Sequence, residues 1–134
     1  MTSHDREKTV RTLFERLSAR DFDGVVALLD DNVEFDLAFA PEMLEMPVRG
    51  REAMHKLLSG IIGAMFEPFR IEISQIYGGC DNDVLVAEYK SDAVVKHNGN
   101  HYLNRYVGIF RFDGDEIVFW REYHNTEEAT RALS

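Results

Sequence analysis

The chain has 134 residues, with 24 acidic against 15 basic side chains, a formal net charge of −9, and its Lys and Arg residues are scattered along it. That distribution excludes binding to a phosphate backbone, which requires a concentrated basic face. The single cysteine, Cys80, excludes an intrachain disulfide and suits a reducing compartment.

With 45% hydrophobic and 29% charged residues, the composition is that of one globular domain, residues 1–134, large enough to bury about two-thirds of its unfolded surface without a staple. The opening Met1-Thr2-Ser3-His4-Asp5-Arg6-Glu7-Lys8 is charged where a signal peptide is apolar, and no apolar run reaches membrane-spanning length. A cytoplasmic protein with neither a membrane nor a nucleic-acid partner is therefore expected.

Val10, Leu13, Phe14 and Leu17 recur at helical spacing and predict an amphipathic helix to about Arg20, with Thr2 or Ser3 available as its cap. Asp21 caps a second, shorter helix carrying Val25, Val26, Leu28 and Leu29, which ends in Asp30-Asp31-Asn32. Val33, Phe35, Leu37 and Phe39 then alternate with Glu34, Asp36 and Ala38, the period of a strand, which Pro41 stops. Residues 42–48 read as a loop. A third helix from Gly50 presents Met54, Leu57, Leu58, Ile61, Ile62 and Met65 on one face and ends before Pro68.

Beyond Pro68 the signal is strands only: 69–77, 84–95, 102–112 and 116–124, separated by Gly78-Gly79, Asn98-Gly99 and Asp113-Gly114. Turns this short make antiparallel neighbours, and 125–133 reads as a frayed C-terminal helix. The order predicts an α+β fold with helices on one face of a single sheet. Along the strand from Tyr102, neither face is wholly polar. A semi-polar aromatic face toward the helices suggests a lined cavity, and an apolar second face suggests a subunit contact.

Several residues are suited to chemistry. Glu122, within Phe119-Trp120-Arg121-Glu122-Tyr123-His124, falls by alternation on the same strand face as Val118, Trp120 and His124. A carboxyl group shielded beside an indole has its charged form disfavoured, which suits a general acid or base near neutral pH; exposed at a strand end, it would merely be solvated. Glu34 and Asp36 share a strand face and could form a coupled acid/base pair in a pocket, although alternation alone points them to water. Tyr89, Tyr102, Tyr106 and Asn104 offer hydrogen bonds inside an otherwise apolar lining. His55, His97 and His101 form no metal-ligand spacing with Asp or Glu, and no Gly-rich phosphate loop or nucleophile motif occurs, so neither metal nor cofactor is expected.

Three stretches together resemble the SnoaL-like family of the nuclear transport factor 2-like superfamily, whose relatives include polyketide cyclases, ketosteroid isomerases, limonene epoxide hydrolases and phenazine-biosynthesis proteins. They are Arg20-Asp21-Phe22-Asp23-Gly24-Val25-Val26-Ala27-Leu28-Leu29-Asp30-Asp31, Arg49-Gly50-Arg51-Glu52-Ala53-Met54, and Tyr106 through Asn125 with its Phe-Asp-Gly turn and Trp-Arg-Glu-Tyr strand. The resemblance implies a cystatin-like α+β barrel, in which a curved antiparallel sheet wraps on N-terminal helices around a cone-shaped pocket, often as a homodimer through the sheet.

The resemblance also implies site residues. Asp36 falls where ketosteroid isomerases keep their general base, and Glu122 where limonene epoxide hydrolases keep the Asp that activates water. Leu13 and Gly108 stand where the isomerases place their oxyanion donors. The implied function is a cofactor-independent acid/base enzyme, of isomerase, cyclase or lyase type, acting on a small apolar or polycyclic molecule. Glu122 and Asp36 would shuttle the proton, with Tyr89, Asn104, Tyr106, Trp120, Phe35, Phe66 and Phe110 forming the substrate site. A ligand-binding or dimeric interaction module without chemistry is the alternative.

Overall fold

The computed structural model describes residues 3–78 and 83–134. The cap expected at Thr2 or Ser3 and the Gly79-Cys80-Asp81 turn fall outside the described residues and side chains.

Helix α1, Ser3–Ser18, buries Val10, Leu13, Phe14 and Leu17 at the predicted spacing. It stops two residues short of Arg20, which takes a left-handed φ of 62° and sends its guanidinium to the carbonyls of Phe66 and Gly63 at 2.9 and 2.7 Å. Asp21 caps α2, Phe22–Val26, accepting from the Gly24 amide at 2.9 Å. This helix is shorter than the apolar spacing suggests, because Leu29 already belongs to strand β1, Leu29–Leu37, and pairs with Ile117.

The segment read as a loop, 42–48, gives way at its last residue to a two-residue strand, β2, Val48–Arg49, which pairs with Phe35 and Glu34. Helix α3, Arg51–Leu58, continues into a π-helical turn, Ser59–Gly63, instead of a regular helix. Ser59 Oγ donates back to the His55 carbonyl at 2.8 Å, a bond that competes with the helical ladder.

The remaining strands are β3, Phe66–Gly78; β4, Val84–Val95; β5, His101–Tyr102; β6, Arg105–Asp113; and β7, Glu116–His124. The sheet order is β2-β1-β7-β6-β4-β3, with β5 paired to β4. Every pairing is antiparallel except β1 with β7, which run parallel. That parallel pair corrects a purely antiparallel reading: β1 and β7 are separated in the chain by five other strands and α3, so no tight turn forces them to run in opposite directions.

Register shifts between Phe66 and Phe69, between Ile73 and Gln75, and between Arg111 and Phe112 mark bulges. Bulges bend a strand and increase its twist, and the sheet here curls strongly over α1. At the last of them Val118 is the extra residue, so that Ile117 and Trp120 are both buried on the concave side. Val118 is therefore not on the face of Trp120 and Glu122, contrary to simple alternation.

The C-terminal helix α4, Thr126–Leu133, is anchored rather than frayed. Asn125 Oδ1 accepts from the Glu127 amide at 3.0 Å, Asn98 and Asn100 donate to the Ala132 carbonyl, and Ala132 is wholly buried. Among the described residues no helix is long and apolar enough to cross a membrane.

Candidate acid/base site in an apolar cavity

A cavity of about 490 Å³ lies between the concave sheet face and the helices. Phe14 and Leu17 of α1, Leu57 and Leu58 of α3, Phe66 and Phe69 of β3, and the Met43, Leu44 and Met46 side chains of the β1–β2 connection supply apolar walls. Polar groups enter from one side, through Tyr102, Tyr106, Glu122 and His124, with Thr126 and Thr130 from α4. No Lys or Arg side chain is among the lining residues.

Glu122 reaches the cavity from β7. Its surface is intermediate in exposure, but the part that is open faces the cavity, and the group is otherwise surrounded by protein. Desolvation pushes its carboxyl up to about 7, against a hydrogen bond from Tyr89 that acts in the opposite direction. Tyr89 Oη donates to Glu122 Oε2 at 2.5 Å and accepts from Trp120 Nε1 at 3.4 Å. Burial and the neighbouring carboxylate raise the Tyr89 phenol well above its ordinary range, so it remains a proton donor to Glu122 at any physiological pH.

Gly108 makes this contact possible. It lies opposite Glu122 in the β6–β7 register and beside Ala87 of β4. A Cβ at this position would come within 2.7 Å of Tyr89 Oη and 2.9 Å of Phe110. The missing side chain is the space through which the tyrosine hydroxyl reaches the carboxylate. The tyrosine ring is fixed by Phe14 at 4.3 Å and by a stack on Tyr106 at 5.2 Å between centroids.

Of the predicted substrate residues, Phe35, Phe66, Tyr106 and Trp120 line the cavity. Tyr89, Asn104 and Phe110 stand behind it. Phe110 stacks on Trp120 at 5.3 Å, and Tyr89 holds Glu122. Asn104 spends all four of its hydrogen-bonding positions on protein: Nδ2 donates to Tyr102 Oη and the Asn125 carbonyl, and Oδ1 accepts from the Arg105 and Asn125 amides. It has nothing left to offer a ligand.

Asp36 does not join Glu122. In the parallel β1–β7 register Phe35 pairs with Trp120, Asp36 with Arg121 and Leu37 with Glu122, and paired residues share a face. Phe35, Leu37, Trp120 and Glu122 therefore face the cavity, whereas Asp36 lies on the outer face and accepts from Arg121 Nε at 2.9 Å. Glu34, on the same outer face, pairs with Arg49. The shared pocket expected for the two carboxylates is replaced by one buried acid and one solvent-side ion pair.

His124 lines the cavity two residues from Glu122. Burial lowers its pKa, and its Nδ1 has no hydrogen-bond partner in the described structure. Tyr102 completes the polar wall. Alternation indicated His124 as a neighbour of Glu122. The role of Tyr102 depends on contacts across β4, β5 and β6, which no local pattern reveals.

A helix-backed, strongly curled sheet closing over an apolar cavity places the protein in the nuclear transport factor 2-like fold, shared with ketosteroid isomerase-like structures. Residues 10–120 match the SnoaL-like domain, and the chain belongs to that family. It is similar to the uncharacterized protein YesE of Bacillus subtilis (strain 168), at 24% identity over 88% of this chain and 80% of that one. A proposed isomerase from Bacillus subtilis has the same fold, with a TM-score of 0.89 and 21% identity across 99% of this chain and 96% of that one. An LEH-like epoxide hydrolase from M. tuberculosis also has it, with a TM-score of 0.76 and 21% identity across 97% of this chain and 92% of that one.

Two outcomes follow from the site's geometry. Below the ordinary value of 4.5 Glu122 is protonated whether folded or unfolded; above it the unfolded chain releases the proton while the native site keeps it up to about 7. The contribution of Glu122 to stability is therefore fully present below the unfolded value and is lost as pH rises through the folded value, on the order of 3 kcal/mol in all. In urea titrations Glu122→Gln should gain on the native protein between about pH 4 and about pH 8; a difference that does not change with pH would show that the carboxyl is not desolvated. Gly108→Ala should cost about 1–3 kcal/mol by overpacking and should detach Tyr89 from Glu122, visible as a further rise in the Glu122 titration midpoint by carboxyl carbon-13 NMR. An unmoved midpoint would refute the role given to the glycine.

Proposed function

We propose that the protein takes a small, largely apolar or polycyclic molecule into this cavity and moves a proton on it, with Glu122 as the acid/base group and no cofactor. The observation that carries this reading is a carboxyl group held at about 7 on the wall of a cavity that no Lys or Arg lines. Near neutral pH both of its forms are populated, so the same oxygen can take a proton and return it.

The reaction class is isomerisation, cyclisation or lyase-type proton transfer. Glu122 removes a proton from carbon beside a carbonyl, the C–H electron pair moves into the carbonyl to give an enolate, and the proton is returned at the same or another carbon. Tyr89 keeps the carboxylate aimed and lowers its basicity to the useful range. Phe35, Phe66 and Trp120 hold the apolar body of the substrate. Asp36 has no part in this scheme, because it stands on the opposite face of the sheet.

We assign the outer face of the sheet to a second copy of the chain, in keeping with the row that Glu88, Val107 and Tyr123 form across it.

Proton transfer can be read without the natural substrate, using β-tetralone in deuterium oxide and following loss of its α-proton signal by NMR. The native protein should accelerate exchange above buffer, with a rate that rises through about pH 7 as Glu122 ionises. Glu122→Gln should reduce the acceleration by roughly 100-fold or more. A native protein that binds the ketone yet exchanges nothing above buffer would reduce the reading to a ligand-binding module. For the second copy, light scattering should give a dimer mass for the native chain and a monomer mass for Val107→Glu; a native monomer removes that assignment.

A further inference from the structure

Three buried hydroxyls form a line beside the cavity. Tyr106 Oη lies 3.0 Å from Ser91 Oγ and 3.1 Å from Tyr102 Oη. Asn104 closes both ends as a donor, its backbone amide to Ser91 Oγ at 3.1 Å and its Nδ2 to Tyr102 Oη at 2.8 Å.

The protons in this line do not balance. Each hydroxyl carries one, each oxygen-to-oxygen contact uses one, and two contacts among three hydroxyls leave one proton without an acceptor. Asn104 only donates to the line. Ser91 is buried and does not line the cavity, so a spare proton there would be stranded in protein, at the full cost of a desolvated donor. Tyr102 and Tyr106 both line the cavity, where a bound molecule can supply the missing acceptor.

The two tyrosines are not equivalent. When Ser91 donates to Tyr106 and Tyr106 to Tyr102, the Tyr102 oxygen accepts twice, from Tyr106 and from Asn104, and its own O–H is the one left over. A hydroxyl that accepts two hydrogen bonds is polarised into a stronger donor. The contact geometry favours the same arrangement: Tyr106 Oη donates to Tyr102 Oη at 3.1 Å, and among the described residues the Tyr102 O–H has no acceptor. The ring of Tyr102 is held by a stack on Phe66 at 5.1 Å, so the hydroxyl has a fixed position.

We infer that Tyr102, backed by Tyr106, Ser91 and Asn104, donates the hydrogen bond that holds the oxygen of the bound molecule, and that the cavity takes an uncharged carbonyl compound through that oxygen. The absence of Lys and Arg from the lining leaves a carboxylate or phosphate on the ligand without a counter-charge, and the one acid on the wall would repel it. The inference rests on reading the cavity as a small-molecule site. It gives the enolate of that scheme an oxyanion partner on the wall that also carries Glu122.

The test uses β-tetralone labelled with carbon-13 at its carbonyl and bound to the full chain. Its carbonyl resonance should lie downfield of its position in an apolar solvent. Tyr102→Phe, which keeps the ring and its stack, should return the resonance toward the apolar-solvent position and weaken binding roughly two- to tenfold, the loss of one neutral hydrogen bond. Tyr106→Phe should keep most of the downfield shift, because Asn104 still supports Tyr102. A bound resonance unmoved by Tyr102→Phe, or one abolished by Tyr106→Phe alone, overturns the assignment, as does a ketone that shows no saturable binding. The resonance reports the donor and the exchange rate reports Glu122, so either reading can fail without the other.

Discussion

The Tyr89–Glu122 hydrogen bond is the contact on which the rest of the site depends, because it decides what a buried carboxyl does at neutral pH. A carboxyl without that donor would sit higher still and be an acid only; one in water would be ionised and inert as an acid. Reaching the intermediate condition requires features that lie far apart in the chain. Gly108 on β6 vacates the space for the tyrosine hydroxyl, Trp120 on β7 donates to it from the other side, and Phe14 on α1 presses the ring into place. The bulge at Val118 sets the parity of β7 so that Trp120 and Glu122 both face inward. The backbone of Glu122 is held in turn by the end of β1, where the Ala38 amide donates to its carbonyl at 3.0 Å.

Asn104 plays the corresponding part for the second polar group. It stands between β5 and β6, where the chain leaves regular pairing, and ties together Tyr102, the Arg105 amide and both polar backbone atoms of Asn125 at the start of α4. One side chain therefore docks the C-terminal helix, which closes the cavity, and positions a tyrosine hydroxyl within it. Burying a fully satisfied amide costs little, whereas a half-satisfied one is expensive. That is why Asn104 is wholly committed to protein and the spare O–H of the hydroxyl line appears on a tyrosine.

Much of the fold was legible in the sequence, because the helices and long strands announce themselves by period and the turns by Asn-Gly and Asp-Gly. The apolar stripe of α1 and the strands 84–95 and 116–124 needed nothing else. What was not legible is relative placement. Asp36 and Glu122 each look like pocket carboxylates in isolation, but only the parallel register of β1 on β7 shows that Asp36 is paired with Arg121, one residue out of phase with Glu122. A strand reverses its two faces with each single-residue step, so this is the scale at which a site is made or lost. Likewise, Tyr89, Asn104 and Phe110 are polar or aromatic residues on the concave side. Whether such a residue touches a ligand or supports one that does depends on which layer it occupies, and periodicity carries no depth.

Retaining Glu122 has a physical consequence for the whole domain. A desolvated carboxyl is a liability to folding whenever the solvent favours its ionised form, and the site contains no cation to relieve it. The compensation is structural: a cluster of Phe14, Phe35, Phe110 and Trp120 packs around the acid's neighbours with ring centroids 4.8 to 6.1 Å apart. Large aromatic surfaces contribute stability that the acid subtracts, and they do so without supplying a charge that would return its pKa to the ordinary range. An Arg or Lys in the same wall would stabilise the protein at neutral pH and, by holding the carboxylate ionised, would remove its capacity to carry a proton. The composition of the cavity is thus one constraint seen from two sides. The apolar lining that shapes the cavity is also what holds the Glu122 carboxyl at about 7, where both of its protonation states are populated.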